Sequence, residues 1–278
     1  MQANQDKAVN SIFEGIQRVG QSVEEAIHVW GQGLGVHNHN LLESLETKVE
    51  DPALGRAVLG DLWSFFHQQG LEKPNRTLGV EDPPDLEAIN QTLEAIMNDG
   101  EHPALLGMGD DAGDALVNWV QAFTIYDFAA YTFLEKHLGA KEGLAIYMGL
   151  WESFALGVLP QMKQALGIQG PQDVDMAMIR RLSEAYWAAI GIASTTTQFD
   201  DQVYEAELSD CAYWLNMKHL LGEDKARSMT LKTEAVVSVN YYDAILKALG
   251  VFDRYRFTMD KFQCCGDEHC RVRFNRRS

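Results

Sequence analysis

The sequence predicts an α+β protein, a mainly helical body carrying one small antiparallel sheet. Apolar residues recur at helical spacing through most of the chain up to about residue 190. The texture then changes twice to strand-like alternation, around 194–208 and 254–274. Two further helical stretches separate these regions, so four strands arrive as two hairpins, an order that builds one antiparallel sheet covered by helices.

The 278 residues, 46% hydrophobic and 23% charged, suffice for one large core or two modest ones. With 23 basic against 40 acidic residues the formal charge is −17. That balance excludes a general nucleic-acid binder, because phosphate binding needs matching positive charge. The amino end, MQANQDKAVNSIFEGIQ, lacks the basic start and continuous apolar stretch of a signal peptide. No uncharged apolar run reaches the length of a membrane span. The expectation is a cytoplasmic protein with no membrane partner.

Taking the elements in order, Ser22 with Glu25 suits a capping box, and Asp51-Pro52 caps and starts a helix through Leu62, Trp63, Phe65 and Phe66. Gly31, Gly33 and Gly35 break the pattern between them. With no strand before them they read as a bend beside a close helix contact rather than a phosphate-binding turn. His37 and His39, two apart, would diverge on a helix and have no third metal ligand nearby. Residues 71–85, LEKPNRTLGVEDPPD, read as a linker. It would divide an amino-terminal helical subdomain or dimerisation arm (1–75) from a small-ligand or catalytic domain (85–278), and a homo-oligomer is expected.

A short helix through Leu86, Ile89, Leu93 and Ile96 is followed by two long ones, 112–138 and 141–166, apolar around most of their circumference and therefore buried in a bundle. Asp127 shares a face with Val120, Phe123 and Leu134, and Glu152 with Ala145, Met148, Ala155 and Leu159. A carboxylate so placed must be paired, metal-bound or protonated. Either acid alone fits a structural hydrogen bond or salt bridge; the two aimed into one cavity fit proton relay. A helix from Pro171 to 193 precedes the first hairpin, whose turn is Asp200-Asp201. Two more helices end at the C-cap Gly250, and the second hairpin turns through CCGDEH.

The chemistry-bearing pattern is the thiols. Cys211 opens a helix directly after the first hairpin, while Cys264, Cys265 and Cys270 border the turn of the second. In one sheet they would converge, and thiolates bind zinc or another divalent metal. Glu207 or His219 could complete such a site, with only one of Cys264 and Cys265 taking part, since neighbours on a strand face opposite ways. Cys211 is also a candidate nucleophile, its helix-start position lowering the thiol pKa and His219 or Glu205 assisting. Asp210 opposes that, and a small core residue is the alternative.

The segments FDDQVYEAELSDCAYW, VNYYDAILKALG and YRFTMDKFQCCGDEHCRVRF resemble the carboxy-terminal pattern of the bacterial L-2-amino-thiazoline-4-carboxylic acid hydrolase-like family. The closing Gly-Asp-x-x-Cys is also similar to the end of vinyl-reductase-type small-ligand domains. The resemblance spans about residues 115–275, with Cys211 and Cys270 at the matching cysteines. It implies either opening of a cyclic C=N-containing compound or small-molecule sensing with cysteine-bound zinc, although Cys264 and Cys265 sit off that zinc spacing. The leading expectation is a hydrolase-like enzyme on a small heterocycle. Metal-bound hydroxide or Cys211 would attack an electrophilic carbon, and Asp127 or Glu152 would relay the proton. The alternative is a sensor without turnover. Arg271, Arg273, Arg276 and Arg277 would attract a carboxylated substrate or an acidic partner surface, or lie solvated.

Overall fold

The computed structural model describes residues 2–277 and is about 70% helical, with a four-stranded antiparallel sheet not closed into a barrel. The chain forms two compact units. One joins residues up to 20, 151–215 and 224 onward; the other joins 21–150 and 216–223. The division therefore does not fall at 71–85. That stretch contains a short helix with Pro74 and Leu78 buried, because its apolar residues, sparse as they are, all pack inward.

The all-helical unit is built by α2 (Val23–Lys48), α3 (Pro52–Gln68), α4 (Glu72–Leu78), α5 (Leu86–Asn98), α6 (Pro103–Gly107), α7 (Ala112–Leu138) and the first part of α8 (Ala140–Leu166). The expected capping box is present: Ser22 Oγ accepts from Glu25 N at 3.1 Å, and Ser22 N donates to Glu25 Oε2 at 2.7 Å. Asp51 caps α3 through Ala53 N, and Asp85 caps α5 through the N–H groups of Glu87 and Ala88. The expected break at Gly31, Gly33 and Gly35 is not there; α2 runs through them. A Cβ on Gly31 would stand 2.5 Å from Leu105 Cδ2, and one on Gly35 2.8 Å from the Leu93 carbonyl oxygen. The glycines serve close packing while the helical hydrogen bonds continue. Helix α7 is the axis of this unit, burying Trp119, Phe123 and Tyr126, with Trp119 Nε1 donating to Leu105 O at 2.8 Å.

In the sheet-bearing unit, α1 (Gln2–Val19) packs on α9 (Met176–Ala189). Strands β1 (Ala193–Phe199) and β2 (Val203–Ser209) form the first hairpin. Helices α10 (Ala212–Leu221), which passes into the helical unit, and α11 (Glu223–Ala248) follow, then β3 (Tyr255–Lys261) and β4 (Cys270–Arg276). The sheet order is β1-β2-β4-β3, with Leu208 opposite Cys270 and Tyr204 opposite Phe274. Alternation buries Tyr204, Ala206, Leu208, Val272 and Phe274 on one face, against Trp187, Tyr242 and Ile245. Trp187 Nε1 donates to Tyr242 Oη, satisfying both polar tips in the aromatic core.

Helix α8 alone, among the described residues, is long and apolar enough by composition to cross a membrane. Within the sheet-bearing unit its Phe154, Ala155 and Leu159 belong to the core.

Candidate functional site

The second hairpin's turn is not a plain reversal. Gln263–Cys265 form one 3₁₀ turn, stopped by Gly266 in the left-handed region at φ 118. Phe262 N donates to Asp267 Oδ2 at 2.8 Å, closing the loop, and Gln263 N points at Cys270 Sγ at 3.2 Å. The Thr230 hydroxyl of α11 is 2.9 Å from the Cys264 carbonyl oxygen and ties the turn to that helix. Cys264 is buried, whereas Cys265 is half-buried. This local geometry releases the two cysteines from strand alternation, so both thiols lie at one place and hydrogen-bond to each other.

The hairpins share one sheet, and the four cysteines are in reduced form. Cys270 lies within electrostatic reach of both Cys211 and Cys265. Glu234 of α11 raises the pKa of all four thiols through its charge. Burial raises the Glu234 pKa, opposed by a hydrogen bond from Ser238 Oγ at 2.7 Å. Nothing in the sequence singled this residue out; it sits one turn after Thr230 on a helix that is apolar on no single side.

The thiols are unequal. Cys211 caps α10, its sulfur accepting from the N–H groups of Trp214 and Tyr213, which lowers its pKa as a helix start should. Burial outweighs that, and the thiol is pushed up to about 11, so Cys211 stays protonated at neutral pH. Burial likewise raises Cys270. In the Cys264–Cys265 pair the shared hydrogen bond holds the proton on Cys264 and pulls Cys265 down, helped by Thr230 and opposed by burial, Glu234 and Asp267. Cys265, half-buried, is the acidic thiol of the four.

The remaining expected residues lie as follows. Glu207 faces away from the thiols: strand parity sets it with Glu205, Arg271 and Arg273 on the outer face, where His269 Nε2 is 3.1 Å from its carboxylate. It therefore cannot join Cys270, which is on the core face. Glu205 accepts from Thr197 Oγ1 at 2.9 Å on that outer face, away from Cys211. His219 of α10 falls in the helical unit and Cys211 in the sheet-bearing one. Asp127 and Glu152 are divided in the same way. Asp127, fully buried, accepts from Tyr147 Oη at 2.6 Å, and Glu152 accepts from Asn240 Nδ2 at 3.3 Å. His37 is fully buried in the helical unit, and desolvation lowers its pKa from 6.5 to about 3. Among the described residues no three His, Cys, Asp or Glu side chains are arranged to hold a metal ion.

A separate open groove of about 480 Å³ lies in the sheet-bearing unit, lined by Leu156, Leu159, Pro160, Lys163, Ile168 and Ala248 among others. Its walls are mainly apolar, with Lys163 and Gln164 as polar lining.

The molecule is thus a mainly helical α+β protein with an open four-stranded antiparallel sheet and cysteines bordering the turn of its second hairpin. No family model, curated protein or solved structure matches the chain. The site is accordingly read from its own residues.

Proposed function

We propose that the sheet-bearing unit is a sensor of small reactive molecules, which engages them through Cys265 and does not turn them over as a hydrolase would. The observation that carries this reading is the 3₁₀ turn that places the half-buried Cys265 beside the buried Cys264, with the Cys265 thiol the one whose pKa is lowered. A hydrolase working through Cys211 would need a base beside that thiol, and Glu205, one of the two assistants expected, faces the other side of the sheet. A half-buried carboxyl with raised proton affinity suits the sensor, because a charge newly formed at Cys265 is felt at Glu234. The apolar groove, with Lys163 at its wall, offers room for an anionic apolar ligand in the same unit.

The test uses the full chain purified under reducing conditions without an affinity tag. N-ethylmaleimide in limiting amount, followed by peptide mapping, is expected to label Cys265 first. An amino-thiazoline carboxylate incubated with the same protein is expected to remain intact. Preferential labelling of Cys211, turnover of the thiazoline, or a stoichiometric metal that the thiols hold against labelling would each overturn the reading.

A further inference from the structure

We propose that the groove beside the second half of α8 is a binding site for a medium-chain alkyl carboxylate, with Lys163 and Gln164 holding the carboxylate and the apolar walls holding the chain. The proposal takes up the groove described above and does not rest on Cys265. Local structure puts the donors there. Helix α8 ends in a Schellman turn: Ile168 N donates to Lys163 O at 2.9 Å and Gly167 N to Gln164 O at 3.2 Å, with Gly167 in the left-handed region at φ 72. The turn folds Ile168 back beside Lys163 and Gln164, and all three line the groove. Helix α11 ends in the same way, Val251 N on Leu246 O and Gly250 N on Lys247 O, both at 2.9 Å, and gives the groove Ala248.

The charge is of one sign. From Ser153 to Gln172 Lys163 is the single charged residue, in a chain of 40 acidic and 23 basic residues. Among the described residues Lys163 forms no ion pair, and no acid lines the groove. Lys247, next to Ala248, and Arg277 both lie against the Phe252 ring, 5.1 and 4.6 Å from its centroid, and neither forms an ion pair among the described residues. They add to the positive field at this end of α11. One ammonium and one neutral amide suit a monoanion with two acceptor oxygens, whereas the second charge of a phosphate would have no cation of its own in the lining. Leu159 and Ile168 are buried, Leu156 is 40% exposed and Pro160 is exposed, so the walls run from core to solvent. The volume of about 480 Å³ lies within the roughly 300–1,000 Å³ of small-ligand sites, and the open side suits an unbranched chain lying along it.

The experiment titrates the reduced full chain with decanoate, below its micelle concentration and at neutral pH, by calorimetry. One decanoate per chain is expected, each methylene removed weakening binding about two- to fourfold. Decanol should bind about tenfold more weakly, and decyltrimethylammonium not at all. Decanoate should also shield Lys163 from acetylation in peptide maps, and leave the exposed Lys141 at the start of α8 unchanged. Lys163→Gln is expected to weaken decanoate about tenfold, and Leu156→Glu at least as much, with circular dichroism unaltered. A lysine in a last helical turn also offsets the helix dipole, but that role alone would lower the thermal midpoint of Lys163→Gln and leave its decanoate affinity intact. No binding by the unmutated protein, equal affinity for decanol, or acetylation of Lys163 unchanged by decanoate overturns the proposal, and none of these depends on a variant folding. Sedimentation with phosphatidylglycerol vesicles in place of decanoate binding would assign the cations to a lipid surface and equally overturn it. Maleimide labelling of Cys265 is read separately, so the thiol reading stands or falls on its own result.

Discussion

Replacing His37 by Leu should remove most of one acid-sensitive contribution to stability while preserving the packing. His37 is fully buried in α2, its ring edge-on to Phe123 with centroids 4.9 Å apart, and desolvation drops its pKa from 6.5 to about 3. Below pH 6.5 the unfolded chain binds a proton at this residue that the native chain refuses. Stability from this group is complete above pH 6.5 and drains away as pH falls toward the folded value. The slope approaches about 1.4 kcal/mol per pH unit inside that window and is half that at pH 6.5, so going from pH 6.5 to about 4.5 should cost the wild type roughly 2.3 kcal/mol through His37 alone. Leu is close in volume and cannot titrate. Urea unfolding of both proteins at the two pH values isolates the effect, because the carboxylates are common to both. The wild type is expected to lose more, by about that amount. Parallel losses, or an imidazole NMR resonance titrating near pH 6.5 in the folded wild type, would refute the reasoning.

Tyr147→Phe removes the 2.6 Å hydrogen bond to the fully buried Asp127 carboxylate and should cost about 1.5–3 kcal/mol in denaturant titration. Gly15→Ala would place a methyl 2.0 Å from the Ala188 carbonyl oxygen, forcing α1 off α9; a loss of about 1–3 kcal/mol is expected from the lowered thermal midpoint. Glu234→Gln has the opposite pH sign to His37. Burial raises the Glu234 pKa above 4.5, so the native state holds its proton longer than the unfolded chain and loses stability as pH rises through that window. The Gln variant should therefore gain on the wild type from acid to neutral pH, and a constant offset between the two unfolding curves would contradict this.

The long helices α3, α7 and α8 and both hairpins were legible because their periodicities are long and their stops are chemical, as at Asp51-Pro52 and the left-handed Gly250. The division into units was not, since it passes between Leu150 and Trp151 inside the unbroken helix α8, where neither composition nor a turn marks it. That the cysteines border one sheet followed from pairing the two hairpins. The ranking among them did not, because it depends on a 3₁₀ turn that suspends strand parity at Cys264 and Cys265, and on Glu234 arriving from a distant helix. Glu207 was misassigned for the converse reason: closeness in sequence to Cys211 counted for less than the parity of β2.

The strand order has a bearing on synthesis. β4, the last of the sheet's four strands to be made, is an inner strand, flanked by β2 and β3. Some 60 residues separate the end of β2 from the start of β4, and while they are being made β2 has an open edge with nothing to pair. Its solvent side carries Glu205 and Glu207, two like charges that repel an identical strand from a neighbouring nascent chain. When β4 arrives it brings Arg271 and Arg273 into register with those glutamates, so the charges that kept strangers out become the ones that admit the proper partner.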